Sequence, residues 1–277
     1  MRLTQYLTEF QDTESQTKSR VKKIDITKAQ DILKSKCKKA VVDFLTHGVH
    51  IQRYANDARN IEYGFLDASN LPPRLSRNSQ NYYTLIINDD PSWKGYPKRQ
   101  IIGTLRKNNM ETSSSVWHIF PFDGVKVGIV PSDDIWDSFS ILRSEVGVMA
   151  RRYNEFIALM LNYGNNNIAR TYDKSLAEFK KACKATDKWI ASVEGGLETI
   201  KMTSFPNLDL SKKSLNNYNG DYYKSILHYY NPKGFNISTP GSMTGKDGYE
   251  VWLDGPAVYL NSIVSTETIQ SIMGYST

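Results

Sequence analysis

Asp247-Gly-Tyr-Glu-Val-Trp-Leu-Asp-Gly-Pro-Ala-Val-Tyr-Leu260 is the stretch whose pattern decides the fold. Glu250 opens an apolar-rich alternation, Gly255-Pro256 breaks it, and a second apolar run ends at Leu260. The pattern predicts two short strands joined by a tight turn, with one carboxylate at the mouth of the first. A carboxylate at a strand start is ordinarily a solvated side chain. Far upstream, Gly48-Val-His-Ile-Gln-Arg53 is another strand-like run, and it ends in a cation.

Between these two stretches lie further short strand candidates. Gln100 to Thr104 is the first, Val116 to Phe120 the next, and Val125 to Val130 alternates after it. Turn signals separate them closely, so a mainly antiparallel sheet is the natural assembly. Helical spacing dominates elsewhere. Ala29, Ile32, Leu33, Cys37, Ala40, Val41, Phe44 and Leu45 form one stripe from Asp25 to Leu45, with Asp25 or Thr27 as cap and Gly48 beyond the end. Three more helices are predicted, from Trp136 to about Gly164, from about Asp173 to Val193, and around Asp221 to Tyr230. The class is therefore α+β. Residues 24–277 are expected to form one domain with a helical insertion at about 136–230, behind an N-terminal peptide and linker over 1–23.

Composition excludes several classes. The chain is 40% hydrophobic and 12% aromatic, too apolar for wholesale disorder. Its net charge of +6 favours acidic surroundings such as nucleic acid or a dense anionic partner. No apolar run approaches the ~20 residues that cross a bilayer, so no membrane partner is expected. Cys37 and Cys183 fall on apolar helix faces and are expected to be buried free thiols. The histidines His47, His50, His118 and His228 are scattered, with no zinc-type spacing, so no metal is expected. Walker, dinucleotide-fold and Gly-x-Ser-x-Gly patterns are also missing.

An early strand ending in Arg53, a middle strand ending in the hydroxyl of Thr104 and a late strand opening on Glu250 resemble the Arg/Ser/Glu class of ADP-ribosyltransferases. That class includes enzymes that large tailed phages inject into bacteria. The resemblance implies a split, mainly antiparallel sheet and NAD as the substrate. It assigns the dinucleotide phosphate to Arg53, the steadying hydroxyl to Thr104 and the catalytic carboxylate to Glu250. Tyr82, Tyr83 or Trp93, in an aromatic and Arg-rich stretch, would stack on the nicotinamide. The acceptor would be a host protein or nucleic acid. Two departures bear on the acceptor. Gly248 stands two before Glu250, where members that modify arginine carry a second Glu, and the Ser-Thr-Ser pattern is reduced to Gly103-Thr104-Leu105 unless Thr112 to Ser115 replaces it.

The N-terminal Met1 to Phe10 places Leu3, Tyr6, Leu7 and Phe10 on one helical face ahead of a polar stretch, Gln11 to Lys23. It is similar to the capsid-targeting peptides of internal head proteins, which a prohead protease cuts after Leu-x-Glu. Leu7-Thr8-Glu9 supplies that triplet. The resemblance implies packaging in the phage head interior, a contact with the capsid interior, and release into the host cytoplasm. The other expectation is an N-terminal helix folded onto the domain.

Overall fold

The computed structural model describes residues 20–71, 80–107, 113–165, 175–202, 212–264 and 269–271. The stretch Met1 to Phe10, expected as a capsid-targeting peptide, and Thr112 lie outside them. The chain divides into two compact units, one built from residues 1–74, 96–133 and 235–277, the other from 75–95 and 134–234. The stretch expected as a helical insertion falls in the second unit, which also takes residues 75–95.

Among the described residues all strands belong to the first unit. They are β1 (Lys22–Lys23), β2 (Val49–Tyr54), β3 (Tyr63–Asp67), β4 (Ile101–Lys107), β5 (Val116–Pro121), β6 (Val127–Ile129), β7 (Asn236–Ser238), β8 (Glu250–Leu253) and β9 (Pro256–Asn261). They form one nine-stranded sheet in the order β1-β3-β9-β5-β2-β4-β8-β6-β7. Every neighbouring pair is antiparallel. The α+β class with an antiparallel sheet is thus the observed one.

The sheet cannot be flat. β8 and β9 stand four places apart, which in a flat sheet is about 19 Å at the usual strand spacing. Only Asp254 and Gly255 join them, and three Cα steps span at most about 11 Å. The sheet therefore curls back on itself. Ile51, Ile101, Leu105, Val251 and Leu253 from one half meet Trp117, Ile119, Ala257 and Tyr259 from the other in a single apolar cluster inside the curl. The tight link is legible in the sequence, but β8 and β9 are not a hairpin.

The outer face of β5 and β9 is covered by two helices, α1 (Ile26–Lys36) and α2 (Lys38–His47). Leu33, Cys37, Ala40, Val41 and Phe44 pack there on Phe120, Val258 and Leu260. Asp25 caps α1 by accepting from Lys28 N, and Gly48 ends α2. The single helix expected over Asp25 to Leu45 breaks at Cys37. Asp123 is the physical reason, because its N–H donates to Lys36 O at 2.6 Å and its Oδ1 accepts from Lys39 N at 2.9 Å. Both groups would otherwise belong to the helical ladder at the junction. Cys37 Sγ donates to Phe120 O at 3.4 Å, and burial pushes its thiol well up, so it stays protonated.

The second unit is helical, with α3 (Tyr82–Asp89), α4 (Ser140–Glu145), α5 (Ala150–Gly164), α6 (Leu176–Ser192), α7 (Gly196–Met202) and α8 (Tyr222–Tyr229). The long helix expected from Trp136 divides into α4 and α5. Gly147 sits between them at φ 79°, a left-handed conformation that ends α4 as a glycine does at a helix C-terminus. Ser175 caps α6 and Asp221 caps α8, each through a side-chain oxygen accepting from a backbone N–H three residues on. Among the described residues no helix is long and apolar enough to cross a membrane.

Candidate functional site

Antiparallel register determines which side chains share a face, because residues directly opposite one another point the same way. One rung runs Leu260–His118–Gln52–Thr104–Glu250 across β9, β5, β2, β4 and β8. Its Leu260 end lies under α1 and α2. Its other end is polar and carries Gln52, Thr104 and Glu250 side by side.

Glu250 is 4% exposed at its side chain and Arg99 is 11% exposed. Arg99 Nε donates to Glu250 Oε1 at 3.2 Å, and Nη2 lies 3.1 Å from the same oxygen. Trp252 Nε1 donates to that oxygen at 2.6 Å. The carboxylate thus receives a guanidinium and an indole N–H in a place nearly closed to water. Such a charge-assisted pair is geometrically fixed and is costly to break from one side. Next along the rung, Arg106 Nε donates to Gln52 Oε1 at 3.1 Å, and Arg106 Nη1 lies 3.6 Å from Asp247 Oδ2. Thr104 is half-buried between these two groups.

Three of the residues singled out in the sequence are therefore on consecutive strands: Arg53 on β2, Thr104 on β4 and Glu250 on β8. Thr104 and Glu250 are directly opposite. Arg53 is turned to the other face of β2, where its ladder partner is Trp117 of the inner cluster. Its Nε is buried with no acceptor among the described residues. No sequence pattern singles out Arg99 or Trp252, yet both hold Glu250.

The stacking candidates belong elsewhere. Tyr82, Tyr83 and Trp93 are in the second unit and 2% exposed or less. Tyr82 stacks on Phe179 with ring centres 4.7 Å apart, Tyr83 meets Trp136 edge-on, and Trp93 Nε1 donates to Tyr230 O at 3.0 Å. The stretch expected to stack on nicotinamide is α3 followed by a short turn, and its rings are core.

Comparison with protein-family models, with curated proteins and with solved structures gave no match to this chain. The chemistry of the rung has to be taken from its own residues. Among those described, no group of three His, Cys, Asp or Glu is placed to hold a metal.

Sequence spacing contains no hint of a histidine pair, yet His50 and His118 meet with ring centres 4.9 Å apart, and Phe44 of α2 closes over both. His50 Nδ1 faces Gly48 O at 3.0 Å, so the carbonyl accepts from an Nδ1–H tautomer. His50 Nε2 and both nitrogens of His118 are buried without hydrogen-bond partners among the described residues. Burial holds His50 below its ordinary value against the Gly48 hydrogen bond, with Arg106 adding to the depression and Asp247 opposing it. Burial, then His50, push His118 down to about 3. The folded protein therefore binds fewer protons here than the unfolded chain. This contribution to stability is fully present above the ordinary value near 6.5 and is lost as pH falls from there toward 3. By about pH 4.5 we expect His118 alone to have cost about 2–3 kcal/mol. His118→Leu keeps similar volume and cannot titrate, so its urea midpoint should fall less between pH 7 and 4.5. Parallel pH profiles for the two proteins would refute the assignment.

Proposed function

We propose that the protein is an NAD-dependent ADP-ribosyltransferase of the Arg/Ser/Glu type, with the split-sheet fold of that class, acting on a host macromolecule. One observation carries this. The strands bearing Arg53, Thr104 and Glu250 are consecutive in the sheet, and Thr104 is directly opposite Glu250. Residues far apart in sequence meet where the chemistry needs a hydroxyl beside a carboxylate.

In the reaction, the bond between the ribose carbon and the nicotinamide nitrogen breaks, and nicotinamide leaves with the electron pair. Positive charge builds on the sugar, and Glu250 stabilises it electrostatically. An acceptor heteroatom then bonds to that carbon and gives up its proton. Thr104 steadies the carboxylate. The register turns Arg53 to the opposite face of β2 from Thr104 and Glu250, so on this reading the pyrophosphate is held by groups other than Arg53. Incubation with NAD labelled on its adenylate half, with and without host lysate, tests the proposal. Label transfer or nicotinamide release supports it, and neither at high enzyme concentration sinks it.

A second reading, a virion or host-interaction protein that keeps the fold without catalysis, is favoured by another observation. Glu250 is already engaged by Arg99 and Trp252 and nearly shut off from solvent.

On either reading the protein is proposed to travel in the phage head and act in the host cytoplasm. If Leu7-Thr8-Glu9 is a cleavage triplet, protein recovered from purified particles should begin at Phe10. Mass spectrometry of the intact protein checks this. A Met1 terminus, or no protein in the particles, would remove the packaging proposal.

A further inference from the structure

The chain's positive charge is not spread over it. From Arg20 to Lys39 there are eight basic residues (Arg20, Lys22, Lys23, Lys28, Lys34, Lys36, Lys38 and Lys39) against Asp25 and Asp31, an excess of six. That excess equals the net charge of the whole chain, 35 basic against 29 acidic residues, so the remainder is balanced at 27 of each. All eight are exposed, on or beside β1, α1 and α2, and among the described residues none of them is in an ion pair. Elsewhere several cations are matched. Arg99, Arg106, Arg152, Lys180, Lys201 and Lys224 each have a carboxylate within 4.0 Å. The break at Cys37 gathers Lys34, Lys36, Lys38 and Lys39 around one helix junction.

We infer that the outer surface of α1 and α2 with β1 is a docking surface for the phosphate backbone of nucleic acid, bound without sequence preference. Lysine ammonium groups are compact point charges. They suit phosphates at variable angles and release counterions on binding. A lipid surface fits less well, because Ala29, Leu33, Ala40, Val41 and Phe44 are spent on packing, and the exposed Ile26 and Val42 are too little apolar surface to enter a bilayer. An acidic protein fits less well too, since protein interfaces deplete lysine and rely on aromatic and arginine anchors. The surface is independent of the transferase proposal, because its readout involves neither NAD nor Glu250.

Full-length protein would be titrated onto a fluorescent 20-base-pair duplex of random sequence between about 50 and 200 mM salt. The wild type should lose affinity steeply as salt rises. Changing Lys34, Lys36, Lys38 and Lys39 together to Gln should lower affinity at least about tenfold at the low-salt end, and should reduce the log–log salt slope by about 0.9 for each phosphate no longer neutralised. A control with Lys181, Lys184, Lys188 and Lys233 changed to Gln carries the same loss of charge and should bind like the wild type. The substituted positions are exposed, and circular dichroism with a thermal melt confirms folding of both variants. Absence of duplex binding at 50 mM salt would overturn the inference, as would equal loss in both variants. Tighter binding to phosphatidylserine vesicles or to polyglutamate than to the duplex would overturn it in favour of a membrane or an acidic protein.

Discussion

Arg99→Ala should be among the most destabilising substitutions in the sheet-bearing unit, costing about 3–5 kcal/mol in a urea titration. The side chain is 11% exposed and lies against a carboxylate that is 4% exposed. Its removal leaves Glu250 buried with the Trp252 Nε1 donor on Oε1, but without the guanidinium that now lies 3.1 Å from the same oxygen. Water cannot readily replace a guanidinium there, so the desolvation cost of the ion is no longer offset. Removing both charges should be milder than removing one. Arg99→Met with Glu250→Gln retains volume and a carbonyl acceptor for Trp252, and should recover a large part of the loss. That non-additivity is the signature of a buried pair. Arg99→Ala losses below about 1 kcal/mol, the range of exposed ion pairs, would show that the pair is solvated in solution.

Arg99 also shows why the site is only half legible in the sequence. Lys98-Arg99-Gln100 before an apolar strand reads as ordinary solvated polarity, and its partner lies 151 residues further on. Periodicity reports which face a residue takes, not which strand lies alongside. It therefore locates β2, β4, β5, β6, β8 and β9, but leaves open that β8 runs beside β4 and not beside β9. Arg53 and Gln52 illustrate the same limit at single-residue scale. The strand is legible, yet its alternation puts Gln52 on the rung with Thr104 and sends Arg53 to the opposite face.

Among the elements that escape the sequence pattern, β3 and α3 do so for different reasons. β3 is hidden in loop-like text because Gly64 interrupts its apolar run, and the structure explains the glycine, since a Cβ there would fall 2.3 Å from Val21 Cγ1. α3 is buried at seven consecutive positions, Tyr82 to Asn88. A helix buried all round has no polar face to produce a 3.6-residue period, so its tyrosines look like ligands when they are core. The histidines lack any telling spacing. What joins His50 to His118 is the β2–β5 register and the lid formed by Phe44, neither of which spacing encodes.

Glu250→Gln should abolish nicotinamide release while leaving NAD affinity nearly unchanged, if the transferase proposal holds. The developing positive charge on the ribose is met by a full negative charge in the wild type and only by an amide dipole in the variant. Loss of that stabilisation is worth at least ~3 kcal/mol, a hundredfold or more in rate. Ground-state binding relies on other groups, so calorimetric affinity is the control that separates a catalytic from a structural loss. The structure makes this control necessary, because Glu250 also neutralises buried Arg99. The amide would leave that guanidinium with a neutral acceptor, and some stability should go with it. Rates must therefore be compared at a temperature where circular dichroism shows both proteins folded. Thr104→Ser supplies the complementary measurement. It keeps the hydroxyl opposite Glu250 and should retain most of the turnover, whereas Thr104→Ala should not. Equal nicotinamide release from Glu250→Gln and wild type would return this carboxylate to the role its surroundings already describe, the buried counter-ion of Arg99.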